Sequence, residues 1–411
     1  MSLFSRIAAA ASTAWSLLSG LVWVAVLHPI WRLRSHTQPR HWVVGGHRGR
    51  LYGDNAAGVE GEARRQGKRV FWIANRNAAA SIRRQGANVL IRGSWAARRA
   101  ISQAQALIYS HGEDDLDLVM LLLRGRTATR IYLGHCLSLL KAGGVADPVL
   151  ERASAPLRWL KTWLLTRWDF VLCASHEELA NLARTYPMNR GFRLGGGAHL
   201  DAWQKDADKA PLRRIYWFPT FRDTAKDADR LQAVIREVTQ SKILHEWLRE
   251  HDYEFLLGTH INSQENRPDL VPPMRTASLT QLVDDIRSSE LLISDYSGVL
   301  FDFLLLERPQ ILFAFDLDDY LRHRHLYLDY TTLKFGLHPK TAAELVEVIV
   351  SGAWRSEVLQ RAAKERRAQS LPPPAESFAA QSVRAIEELV NPVAMVRPSA
   401  AASNLHDAPS V

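Results

Sequence analysis

Along the chain, short apolar runs rich in β-branched and aromatic residues alternate with longer stretches whose apolar positions recur every three or four residues. The first pattern is that of strands buried on both faces, the second that of amphipathic helices. Strands are predicted at 69–73, 87–91, 106–109, 130–133 and 170–173, and again at 215–218, 255–257, 291–293 and 310–315. Helices are predicted at 177–186, 230–250, 279–287, 299–307 and 342–351. Such alternation predicts parallel sheets in an α/β fold. Between the two strand series lies 194–201, where Gly195, Gly196 and Gly197 mark an inter-domain turn. Two doubly wound α/β domains, 37–193 and 194–390, facing each other across a cleft are the simplest architecture for 411 residues. The last stretch, 391–411, is rich in Ala, Ser and Pro and reads as a disordered tail.

The first 36 residues follow a different pattern. Residues 7–27 carry no charge, with Arg6 before them and Arg32 and Arg34 after. As a helix this stretch would just cover a hydrocarbon core of about 30 Å. Six of its residues are Ala, however, and Ser12, Ser16 and Ser19 recur on one helical face. That makes a weak span and a better interfacial helix; a helix packed on the protein itself is the alternative. Either membrane placement leaves the body of the chain in the cytosol, because the arginines follow the apolar stretch.

Charge strengthens the membrane assignment. The net charge is +9, and residues 1–100 hold sixteen Arg and Lys against three Asp and Glu, so the remainder is net acidic. A basic N-terminal region fits an anionic membrane surface. No recognition-helix pattern, zinc-finger spacing or aromatic RNA-binding signature accompanies it, which argues against nucleic acid. The two cysteines, Cys136 and Cys173, provide neither a disulfide framework nor metal-ligand spacing.

Candidate chemistry gathers at the predicted strand ends. The sharpest segment runs Leu291-Leu292-Ile293-Ser294-Asp295-Tyr296-Ser297-Gly298-Val299-Leu300-Phe301-Asp302-Phe303, an apolar strand turning directly into an apolar helix. Ser297 is a good N-cap, and Gly298 permits close approach to a helix start that favours phosphate. By itself the segment reads equally as an ordinary strand–helix cap. His135 follows the strand ending at Leu133, with Lys141 six residues on. Its unperturbed pKa near 6.5 suits a general base, though a loop-capping histidine fits as well. Arg222, in Pro219-Thr220-Phe221-Arg222-Asp223, can clamp a phosphate or lie in a surface ion pair. His260 follows the strand at 255–257. Asp316-Leu317-Asp318-Asp319-Tyr320 has the acids of a metal motif but no companion ligands, and is read as a helix start. No metal and no cofactor are expected.

Together these segments resemble the CDP-glycerol glycerophosphotransferase family, the teichoic-acid primases and polymerases and related capsule enzymes. The resemblance rests on 293–303 followed by Arg308-Pro309, 316–320 and Tyr327-Leu328-Asp329-Tyr330. Pro219-Thr220-Phe221-Arg222-Asp223 is similar to the family's proline-threonine-tryptophan-arginine-aspartate motif, and Arg50-Leu51-Tyr52-Gly53-Asp54-Asn55 to its tyrosine-x-aspartate-asparagine stretch. The likeness covers roughly residues 40–350 and is more specific in the second half. Gly134-His135-Cys136-Leu137-Ser138-Leu139 departs from the family's tryptophan-histidine-glycine-threonine-proline-leucine, keeping the histidine. The departure falls on the acceptor side.

The resemblance implies a GT-B-like fold attached, peripherally or by one N-terminal anchor, to the cytoplasmic membrane face. It implies transfer of glycerol phosphate from CDP-glycerol, or a similar CDP-polyol, to a hydroxyl of a lipid-linked or glycan acceptor. His135 would be the general base, with His260 and Arg222 neutralising the pyrophosphate. Ser294, Asp295, Ser297 and Gly298 would hold the donor phosphates, with Asp302 and Asp316 as further donor contacts. Lys141 and Asp54 would face the acceptor. The alternatives are a GT-B glycosyltransferase using a nucleotide-sugar, or an inactive homologue serving envelope assembly. With no repeat module after 391, a short product or single addition is favoured.

Overall fold

The computed structural model describes residues 15, 18–33, 41–117, 119–120, 128–142, 150, 152–165, 168–186, 191–258, 270–278, 281–371 and 375–391. Its first sheet has seven strands: β1 Trp42–Gly45, β2 Val70–Ala74, β3 Val89–Ile91, β4 Ala106–Tyr109, β5 Thr129–Tyr132, β6 Phe170–Cys173 and β7 Gly191–Leu194. They lie in the order β3-β2-β1-β4-β5-β6-β7. The second sheet has six: β8 Leu212–Phe218, β9 Glu254–Leu257, β10 Met274–Thr276, β11 Ser289–Ser294, β12 Gln310–Leu312 and β13 Gly336–Leu337, in the order β10-β9-β8-β11-β12-β13. Every strand pairing is parallel. Both sheets therefore reverse their winding at the centre, between β1 and β4 and between β8 and β11. In doubly wound sheets, the carboxyl ends of the strands at that reversal open a crevice for ligands.

The continuous apolar runs have a simple cause. Helices cover both faces of each sheet, so successive strand residues enter opposite cores. In β1, Trp42 and Val44 enter one cluster and Val43 the other. In β8, Ile215 and Trp217 lie on one side and Tyr216 on the other. Trp72, Trp217 and Trp354 are almost wholly buried, and truncating residues of this kind typically costs about 3–5 kcal/mol.

Two expectations change. The helix expected over 230–250 is two helices, Ala225–Thr239 and Lys242–Glu250, because Ser241 caps the second by accepting from the Leu244 amide at 3.3 Å. The final helix, Phe378–Val390, was expected with the second domain but returns to the first. Ala379, Val383 and Ile386 enter the first domain's core, and Lys68 pairs with Glu387. An apolar face that only the first sheet can cover directs that return. Residues 392–411, the expected tail, lie outside the described residues.

The N-terminal segment is helical over 18–33, with a π-helical stretch at Trp23–Leu27. It docks on the first domain through Trp23, which donates to Ser102 Oγ at 2.8 Å, and His28, whose Nδ1 lies 2.9 Å from the same hydroxyl. Leu18, Leu21, Val22 and Val26 remain exposed. No helix among the described residues is long and apolar enough to cross a membrane.

Candidate active site in the interdomain crevice

A crevice of about 1440 Å³ opens between the domains, outside the carboxyl ends of the central strands of both sheets. Two loops of the first domain line the crevice, those of His47 and His135, and His111 packs against both rings. His47 follows β1, His111 follows β4 and His135 follows β5. The rings of His111 and His135 stack with centroids 4.6 Å apart and planes 15° from parallel. His47 leans on His111 at 4.3 Å, and its Nε2 stands 2.5 Å from Asp54 Oδ2. Burial, then the neighbouring His135 and His47, push the His111 pKa down to about 3, so this ring is neutral near pH 7. Burial works against the Asp54 carboxylate, yet His47 beside it holds the pKa below the usual value. The backbone here is strained: His47, Arg48 and Asp54 have φ of 49°, 54° and 57°. Non-glycine residues pay for that conformation, and it concentrates at functional sites.

Two buried acids tie these loops down. Asp115 accepts from the amides of Arg48 at 2.7 Å and His111 at 2.8 Å, joining the β1 and β4 loops. Glu178 accepts from the amides of Ser138 and Ala174 at 2.8 and 2.7 Å, which fixes the loop after His135. Cys136 is no nucleophile, since burial pushes its thiol pKa well up.

The second domain's wall is organised around Arg222. Its Nε and Nη2 donate to Asp316 at 2.7 and 2.9 Å, Nη2 also donates to Asp295 at 2.9 Å, and Nη1 donates to the Thr220 carbonyl at 2.6 Å. Asp295 also accepts from the amides of Thr220 and Tyr296, and Tyr296 Oη donates to Asp316 at 2.9 Å. Tyr296 and Tyr320 stack at 3.6 Å, with the guanidinium over their rings. This buried lattice locks the loops after β8, β11 and β12 together.

The walls meet at several places, among them the backbone bridge between Lys141 and Leu326. Gly298 abuts the His135 loop so closely that a Cβ there would stand 2.9 Å from the Leu137 carbonyl oxygen and 3.0 Å from Cys136 Sγ. Deeper in the crevice, His199 bridges the domains. Its Nδ1 lies 2.7 Å from Asn55 Oδ1 and its Nε2 3.1 Å from Asp302 Oδ1. Asn55 donates its amide hydrogens to the carbonyls of Leu133 and Gly134, so its oxygen must accept, and His199 Nδ1 carries a proton. A carboxylate at the other nitrogen requires a proton there too. Burial opposes this imidazolium, but Asp302 outweighs it and the His199 pKa is raised.

A sequence profile described as CDP-Glycerol:Poly(glycerophosphate) glycerophosphotransferase matches residues 33–372. The chain belongs to this family. The teichoic acid glycerol-phosphate primase of Bacillus subtilis (strain 168) is 23% identical over 232 residues, 54% of this chain and 59% of the relative. The teichoic acid poly(ribitol-phosphate) polymerase of Bacillus spizizenii is 30% identical over 147 residues, 35% of this chain and 23% of the relative. The chain thus spans from about a quarter to three-fifths of these relatives' lengths. In fold it is similar to the wall teichoic acid polymerase TagF, with a TM-score of 0.64 at 18% identity over 93% of this chain and 98% of that one.

Within this glycerophosphotransferase-family chain, six of the residues expected from sequence line the crevice: His135, Lys141, Asp54, Ser297, Gly298 and Asp302. Ser297 Oγ accepts from the Val299 amide at 3.3 Å, as an N-cap should. Arg222, Asp295, Asp316 and Ser294 lie behind the wall. Arg222 spends its donors on two aspartates and a carbonyl, so it braces the loops rather than presenting a guanidinium to a phosphate. Ser294 Oγ donates to the Phe218 carbonyl at 2.6 Å, joining β11 to β8. Gly298 lines the crevice and also permits the close approach of Leu137. His260 lies outside the described residues. Sequence reasoning missed His199, His47 and His111. His111 follows β4 and was open to the same strand-end argument that found His135, whereas His47 follows the unexpected β1 and the partners of His199 are distant in sequence.

Proposed function

We propose that the chain transfers glycerol phosphate from CDP-glycerol to a hydroxyl of a membrane-associated envelope glycan or lipid-linked acceptor, releasing CMP. The observation that carries this is the crevice itself, in a chain of this family. It is large enough for a nucleotide with its polyol, and it places His135 and Asp54 on one wall opposite the Ser297–Asp302 turn on the other. The acceptor oxygen attacks the phosphorus bearing glycerol, an O–P bond forms, and the bond from that phosphorus to the bridging oxygen breaks. The bond electrons leave with CMP, and the hydroxyl proton passes to the His135 imidazole. Catalysis of such a transfer is chiefly positioning and charge neutralisation. Lys141, on the crevice wall, supplies positive charge for the diphosphate.

The same reading places the protein on the cytoplasmic membrane face. The exposed row Leu18, Leu21, Val22 and Val26, with Trp159 exposed on the helix Ala155–Leu165, offers apolar contacts, and the basic first hundred residues favour anionic headgroups. Co-sedimentation with anionic vesicles should deplete the wild type and spare a variant with Leu18, Val22 and Val26 changed to Ser. Equal recovery of both in the supernatant would exclude this surface.

The activity is tested by supplying CDP-glycerol, CDP-ribitol and several UDP-sugars with membrane extract and measuring nucleotide release. CMP from CDP-glycerol, matched by acceptor labelling, is the expected result. UMP or UDP release from a UDP-sugar with none from either CDP-polyol would replace the proposal with a glycosyltransferase.

A further inference from the structure

The cluster of His47, Asp54 and His111 is not accounted for by the transfer chemistry above. We propose that these three side chains form a binding site for one divalent transition-metal ion of the zinc or manganese class, on the first-domain wall of the crevice. One ligand atom from each lies within 4.8 Å of the others, near enough for small side-chain movements to close them on a common ion at bond lengths of about 2.0–2.2 Å. Two imidazoles and one carboxylate form a mixed nitrogen–oxygen set. It suits zinc, manganese or iron better than magnesium or calcium, which favour oxygen alone.

Three independent features favour an ion over a plain ion pair. Asp54 Oδ2 is buried and no directed hydrogen bond reaches it, although His47 Nε2 is 2.5 Å away. Beyond that imidazole, no hydrogen-bond donor reaches this buried carboxylate oxygen, so it can be shared with a cation. Next, the two outer ligands sit on strained backbone, with φ of 49° at His47 and 57° at Asp54. Backbone strain of this kind concentrates at functional sites. Finally, an outer shell is already built. Asp115 holds the His111 and Arg48 amides, Ser110 Oγ lies 3.0 Å from His111 Nδ1, and Asp114 draws the Arg48 guanidinium away at 2.7 Å. Such outer partners orient metal-binding imidazoles.

The ion site stands on this geometry alone; only its catalytic consequence rests on the transferase reading. Since His111 stacks on His135, a bound cation would lie beside the transferred phosphoryl group and offset its charge.

The test uses the full chain stripped with chelator and then titrated with Co²⁺, following visible d–d absorption, and with Zn²⁺, by calorimetry, in the absence of any nucleotide. One equivalent should bind, and His47→Ala or His111→Ala should weaken binding at least about 100-fold, while His135→Ala should retain it. Zn²⁺ should also raise the melting temperature of the wild type and leave His111→Gln unmoved, which keeps the test valid if an alanine variant folds poorly. Binding well below one equivalent, or undiminished in the His47→Ala/His111→Ala double variant, would overturn the site whatever the outcome of the donor assays.

Discussion

The two walls of the crevice occupy equivalent places in two sheets of the same winding, yet they are built in opposite ways. On the second domain, the charged groups at the centre of the wall are paired: Arg222 holds Asp295 and Asp316, and Tyr296 completes Asp316. On the first domain, three imidazoles crowd against one another, His47 and Asp54 sit on strained backbone, and a buried carboxylate oxygen lacks a directed hydrogen bond. A saturated charge lattice sets positions; an unsaturated one is available to ligands. The family's most recognisable segments, 219–223 and 293–298, therefore form the frame of the crevice. Its less conspicuous segments, near 47, 111 and 135, carry the groups able to exchange protons or bind ions.

Variants can break this contrast. His135→Ala should lower CMP release about 100- to 10,000-fold with an unchanged unfolding midpoint, because a general base is lost and no frame contact is. Unaltered turnover would remove His135 from the mechanism. Arg222→Met should behave the other way, costing about 3–5 kcal/mol in urea unfolding because Asp295 and Asp316 are left buried without their cation. A folded, equally stable variant that had merely lost donor affinity would return Arg222 to the role of phosphate clamp.

The bridge between the walls gives the next effect. His199 has a raised pKa, so the stability its charge confers is complete below about 6.5 and is lost as the pH rises through the raised value. Asp302→Asn should abolish that alkaline loss and reduce stability on the acid side by about 1.5–3 kcal/mol. Urea midpoints between pH 6 and 9 measure both, and superimposable profiles would disprove the imidazolium. Smallest of the four, Gly298→Ala should cost about 1–3 kcal/mol by pressing on the Leu137 carbonyl, detectable as a lowered melting temperature. No change in melting temperature would mean the walls separate freely at that point.

Much of the frame was legible in sequence because it is written in local patterns. Strands β4 and β6 fall where the apolar runs place them, and Asp316 stands at the start of the helix Leu317–His323 as the acid-rich pattern predicts. Strands β1 and β7 were not legible. β1 is overshadowed by its basic surroundings, and β7, with Gly191 and Arg193 and an exposed end, lacks a buried apolar run. The site was legible only where one segment carries its own chemistry, as with His135 and Ser297. His199 gained its charge from Asp302 and its orientation from Asn55, which are 103 and 144 residues away. No local spacing announces such a bridge. For Arg222, the residue and its place at a strand end were readable, but its partner Asp316 lies 94 residues on, and that contact changes its role from clamp to brace.

Placing CDP-glycerol in the crevice tests the account most directly. A crystal structure of the His135→Ala protein soaked with CDP-glycerol should show the diphosphate between the residue 135–141 loop and the Ser297–Gly298 turn, with the glycerol phosphate intact. Density for the nucleotide on any other surface, with the crevice empty, would contradict it.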